Sequence, residues 1–152
     1  MRALAQRLLL FISLLLISGA FYAQPLRQAQ KPSFPTKEGE CARYMTYIEM
    51  TNPSASSGTS YISGICMLQH EGTIIKGCLF NEFGITALSF SYNLEKQKVK
   101  LHDVLPMLNK WYIRKVLKKD LRQVMFILQK GESTYRNQRR GITYNFEYET
   151  ER

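Results

Sequence analysis

The sequence predicts an α+β domain: a curved antiparallel sheet of about six strands, an incomplete barrel, with one long amphipathic helix packed against it. Three observations carry that expectation. Between Cys41 and His102, short runs of β-formers follow one another closely, separated by glycine-bearing turns. After Asp103 the apolar pattern changes from alternation to three- and four-residue steps. Finally, two of the strand-like runs are apolar on both faces, which is more than a flat sheet covered on one side can bury.

Cys41–Met50 (CARYMTYIEM) is the first strand, and Thr51–Gly58, made of turn formers, is a loop. Ser60–His70, Thr73–Asn81 and Ile85–Asn93 are the next three strands, joined through His70-Glu71-Gly72 and Glu82-Phe83-Gly84. Ile62, Cys66 and Leu68 oppose Ile65 and Met67 in the second strand, and Ile74 and Phe80 oppose Ile75 and Leu79 in the third. The fourth alternates most clearly, with Thr86, Leu88, Phe90 and Tyr92 on one face and Ala87, Ser89 and Ser91 on the other. Gln97–His102 is a fifth, shorter strand. Val104–Leu108 is read as a short helix capped by Asp103, with Pro106 in its first turn. Ile113, Val116, Leu117, Leu121, Val124 and Leu128 then form the stripe of the long helix, with Asn109 as N-cap and Lys130-Gly131 as stop. An arginine-rich loop to Arg140 precedes a last alternating strand, Ile142–Glu149.

The first 23 residues read as a secretory signal: Arg2 and Arg7, an apolar run Leu8–Ile17, then Ser18-Gly19-Ala20. That run is well short of the ~20 residues that span a bilayer. Cleavage is expected after Ala20 or Ala23. No cysteine follows the apolar run closely enough for acylation, so the expected product is exported, periplasmic or envelope-associated, and not lipidated. Residues 24–39, with three prolines, read as a flexible tether, and residues 40–152 as one domain. The charge of +9 falls by the two arginines of the signal to +7. Such an excess favours anionic lipid, glycan or an acidic partner. Nucleic acid is not expected, because an exported chain rarely meets it and no recognition motif appears.

No catalytic constellation or metal-binding motif is visible, and no cofactor is implied; His70 and His102, the only histidines, fall at predicted strand ends. Arg114, Lys115, Lys118, Lys119 and Arg122 make the helix face basic, with Asp120 as the counterweight. Such a face is either an electrostatic dock for anionic headgroups, giving peripheral membrane contact, or a solvated surface, as charge runs usually are. Cys66 and Cys78 lie symmetrically about Gly72, the centre of the predicted second hairpin. They are either cross-strand neighbours able to form a disulfide or two small buried thiols.

The stretch from Gly64 through Lys76-Gly-Cys-Leu-Phe-Asn-Glu-Phe-Gly84 to Leu88-Ser-Phe-Ser-Tyr92, followed by Lys98-Val-Lys-Leu-His102 and Leu117-Lys-Lys-Asp-Leu-Arg122, resembles a group of exported envelope proteins. Many of that group are lipoproteins. Their fold is similar to the lipoprotein carriers of LolA/LolB-like type, an incomplete antiparallel barrel around helices with a greasy cavity for acyl chains. The resemblance covers roughly residues 60–148 and its motifs are structural rather than catalytic. This chain departs from it in lacking the acylation cysteine and in ending soon after the last strand. Together these readings predict a non-enzymatic exported protein that binds a lipid or acyl chain between sheet and helix, with Met67, Leu88 and Phe90 lining the space. The competing expectation is a structural protein whose open sheet edge pairs with an envelope partner.

Overall fold

The computed structural model describes residues 34–51 and 58–149. Within them lie seven strands: β1 (Cys41–Thr51), β2 (Thr59–Glu71), β3 (Ile74–Asn81), β4 (Thr86–Asn93), β5 (Lys98–Val104), β6 (Thr134–Asn137) and β7 (Ile142–Tyr148). A single-turn 3-10 helix, Pro106–Leu108, and the long helix α1, Trp111–Gln129, separate β5 from β6. All strands join one antiparallel sheet in the order β5-β4-β3-β2-β1-β7-β6. The fold is α+β, as the periodicity predicts. α1 touches β5 and β6, the strands at opposite ends of that order. One helix reaches both only because the sheet curls around it.

Glycines permit the curl. A Cβ on Gly64 would sit 2.1 Å from the Phe80 carbonyl oxygen, and one on Gly77 would fall 2.2–2.6 Å from three atoms of the Phe90 ring. The register also shifts between Leu79 and Phe80 in the β3–β4 pair, and between Leu88 and Phe90 in the β4–β5 pair. Such bulges bend a sheet and raise its twist.

The core lies between sheet and helix. Tyr44, Leu68, Ile75, Leu88, Phe90, Tyr92 and Phe146 from the strands meet Leu121, Val124, Met125 and Leu128 from α1. Tyr44 packs edge-on against Phe146 and Tyr148, with centroids 6.1 and 5.8 Å away. α1 ends where the sequence places its stop. Gly131 has φ +77°, its N–H donates to the Leu128 carbonyl, and the Glu132 N–H donates to that of Ile127. That pair of hydrogen bonds is a Schellman motif, and it requires the left-handed residue that glycine supplies without strain.

Several expectations are corrected. The helix N-cap is Lys110, without a side-chain cap, and Asn109 accepts a hydrogen bond from Arg114 instead. Asp103 caps nothing; it belongs to β5 and accepts from the Ser89 hydroxyl at 3.0 Å. The arginine-rich loop contains β6, whose polar Thr-Tyr-Arg-Asn run pairs with β7. The tether ends earlier than expected, since Phe34 is core and Pro35 is fully buried. Backbone bonds from Gly39 to His70, and from His70 to Glu40, then tie the segment to the end of β2. The signal at residues 1–23 and most of the Thr51–Gly58 loop lie outside the described residues.

The cysteine pairing also changes. In the β2–β3 hairpin Glu71 pairs with Ile74, so the turn is centred between Gly72 and Thr73 rather than on Gly72. Cys66 therefore faces Leu79 while Cys78 faces Met67, and a one-residue offset puts the two thiols on opposite sheet faces. A bridge between side chains that point apart is not accessible. All three thiols are free, and burial pushes the Cys66 thiol up to about 12. Alkylation at neutral pH is thus expected to label exposed Cys41 first, half-buried Cys78 slowly, and Cys66 only on unfolding. A Cys66–Cys78 crosslink in the mass spectrum of the folded, non-reduced chain would contradict this register.

Candidate functional site

Among the described residues, side chains pack the space between sheet and helix. Leu88 and Phe90, each 2% exposed, are packed there beneath α1. Met67 projects from the other face of the sheet and is 45% exposed. The three expected lining residues therefore do not share one face of the sheet. Strand alternation separates them: Met67 lies on β2 with Ile65 and Gln69, opposite in sense to buried Cys66 and Leu68.

A hollow of about 710 Å³ does exist, on the face turned away from the helix, spanning β2 to β5. Met67, Ile74, Cys78 and Phe80 give it an apolar side; Lys76, Ser89, Ser91, Lys100, His102 and Asp103 give it a polar one. Phe90 borders it beside Gly77, from the helix side, and Leu88 does not reach it. A second hollow of about 510 Å³ adjoins it and shares Met67 and Phe80. The apolar half follows directly from the sequence, because β2 and β3 carry hydrophobic residues on their outward positions too.

The polar half depends on the bulge. Phe90 pairs with Leu101 and Leu88 with Val104, so β5 has one residue more than β4 over this interval. His102 and Asp103 consequently both reach outward serines. The His102 Nε2 lies 3.0 Å from Ser91 Oγ, Ser89 Oγ donates to Asp103 Oδ2 at 3.0 Å, and the Asp103 N–H donates to Ser89 Oγ at 3.1 Å. The Ser91–His102 distance is one a nucleophile and its base would adopt. Ser91, however, sits mid-strand and pairs with Lys76 on one side and Lys100 on the other. The adjacent ladder N–H groups are then engaged in the sheet rather than gathered as an oxyanion site. The arrangement is suited to holding a polar group by hydrogen bonds. Lys76 on the rim is ion-paired with Glu71 at 2.5 Å. Among the described residues no group of His, Cys, Asp and Glu is placed to hold a metal ion.

The basic residues of α1 are on the surface, Arg114 half-buried and Lys115, Lys118, Lys119 and Arg122 exposed. Their expected counterweight, Asp120, is fully buried. Its carboxylate accepts from Tyr144 Oη and Asn137 Nδ2, each at 2.8 Å, which fastens α1 to the β6–β7 hairpin. Burial, and next the Asp120 charge, raise the Tyr144 phenol above its ordinary value. In the sequence Asp120 reads as a solvated helix acid. The clasp's one signal there is position: Asp120 directly precedes Leu121 of the apolar stripe.

Comparison with the models of protein families, with curated proteins and with solved structures finds no match.

Proposed function

We propose that this chain is a non-catalytic exported protein that holds a lipid or acyl chain on the face of its sheet turned away from the helix. The observation that carries the reading is the 710 Å³ hollow. Its size falls within the ~300–1,000 Å³ common for small-molecule sites, and its apolar side with a few convergent polar groups suits an amphiphile. Met67, Ile74 and Phe80 would cover the apolar chain, and Ser91, Lys100 and His102 would take the head. The ligand class is the one that the lipoprotein-carrier-like resemblance implies, while the site moves from the helix side to the outer side. Export rests on the pattern of residues 1–23.

Pairing through a sheet edge has less support. The edge strand β6 has four residues, and β5 carries Lys98, Lys100 and His102; short length and charge both discourage strand addition.

Native mass spectrometry of the chain purified from its producing host is expected to show a co-purifying lipid or fatty acid. Met67→Asp should lose that adduct and keep the melting temperature within a few degrees, because its side chain is half in water. A wild-type chain that stays ligand-free when offered fatty acids and phospholipids would refute the proposal.

A further inference from the structure

A second surface, sharing no lining residue with the outer hollow, carries a separate proposal. At the start of α1, Trp111 is 78% exposed and Tyr112 48%, and Met107 on the preceding turn is 72% exposed. Trp111 and Tyr112 line a hollow of about 420 Å³ together with Lys115 and Lys119 of α1 and Arg139 and Arg140 of the β6–β7 turn. The sequence shows the helix cations and the arginine-rich loop as separate features. The fold brings Arg139 and Arg140 to them, because the Asp120–Asn137 bond draws β6 onto α1. The acid that borders this hollow is Asp120, which is buried and bonded to Tyr144 and Asn137. What remains facing water is four cations beside a tryptophan and a tyrosine.

We propose that this end of the domain docks onto the surface of an anionic bilayer, with Trp111 and Met107 entering the headgroup region and Lys115, Lys119, Arg139 and Arg140 meeting lipid phosphates. Charge complementarity and the exposed aromatics select this occupant. Tryptophan and tyrosine partition to the membrane–water interface, where a ring is partly dry and its polar edge still hydrated. Clustered lysines and arginines are drawn to anionic headgroups over about a Debye length. A soluble polyanion would engage the cations but would leave Trp111 and Met107 in water.

The chain supplies its own reporter, for Trp111 is its only tryptophan. The full chain is mixed with vesicles of phosphatidylcholine alone, or with phosphatidylglycerol added. The Trp111 emission is expected to shift to the blue and lose quenching by acrylamide only with the anionic vesicles. Binding should weaken as salt rises, since exposed charges are screened within about 8 Å at physiological ionic strength. Lys119→Glu with Arg139→Glu is expected to weaken vesicle binding at least about tenfold, with melting unchanged because all four side chains are exposed. Lys115→Glu with Arg140→Glu is the second pair, should the first alter folding. Wild-type emission unmoved by anionic vesicles at low salt would overturn the proposal. So would reversal pairs that stay folded and bind as tightly as wild type.

Discussion

Gly77→Val is expected to lower the unfolding free energy by about 3 kcal/mol or more, among the largest effects of any single change in this domain. The added Cβ would fall 2.2–2.6 Å from three atoms of the Phe90 ring, far inside contact distance. Neither partner can step aside. Gly77 pairs directly with Phe90 across β3 and β4, and the ring is 2% exposed beneath the helix. The strand must bend or the ring must leave its rotamer, and close-packed interiors accept neither cheaply. Phe90→Ala alone opens a cavity and costs about 3–5 kcal/mol. In the double variant the valine enters the vacated space, so the losses should add to less than their sum by more than about 1 kcal/mol. Urea titration of the four proteins measures the coupling. Strict additivity would show that Phe90 does not lie over Gly77 in solution.

Stability should also fall steeply in alkali. Tyr44 and Tyr144 are nearly inaccessible, and burial, more than any neighbouring charge, raises both phenols above their ordinary value. The Cys66 thiol is raised to about 12 by the same cause. A group whose folded value is raised keeps its proton in the folded chain after the unfolded chain has lost it. The folded state then binds more protons, and its stability decreases as pH rises. For the thiol the loss begins near the ordinary cysteine value of about 8.5, and for the tyrosines near about 10. Each group removes about 1.4 kcal/mol per pH unit, so the three together remove about 4 above pH 10. Unfolding free energies taken by urea at about pH 8, 9.5 and 11 would trace the bend. A flat profile to pH 11 would mean that these groups reach water in the native state. Tyr144→Phe should reduce the final slope by about 1.4 kcal/mol per pH unit.

Most of the sheet was legible because alternation survives in the sequence wherever one face is buried. β4 reads Thr-Ala-Leu-Ser-Phe-Ser-Tyr, and its leucine, phenylalanine and tyrosine are the buried positions. β6 was not legible: a four-residue strand of polar and charged residues at a sheet edge has no buried face to impose a pattern. The sheet faces of the candidate site residues were not legible for a different reason. Hydrophobicity says that Met67 and Phe90 both seek cover, but not on which side of the sheet, and a hairpin centre displaced by half a residue exchanges the faces of everything on one strand. The same displacement separated Cys66 from Cys78. Trp111 offered a usable signal, a large aromatic ring placed before the apolar stripe instead of within it.

The position of β7 has a consequence for the order of events in the life of the chain. β1, the first strand made, keeps one long edge bare until β7, the last, is delivered, for Tyr44 pairs with Tyr148 and Met50 with Ile142. β2 can form a local hairpin with β1 at once, but the other flank must await β7, which follows every other described strand. Non-local closure of this kind slows folding and leaves an adhesive strand exposed meanwhile. Under the proposed export, in which the chain crosses a membrane as a thread, that delay is useful. The sheet cannot close on β1 before β7 emerges, and a product cut short before Ile142 would present Tyr44 and its neighbours as an unfinished, aggregation-prone edge.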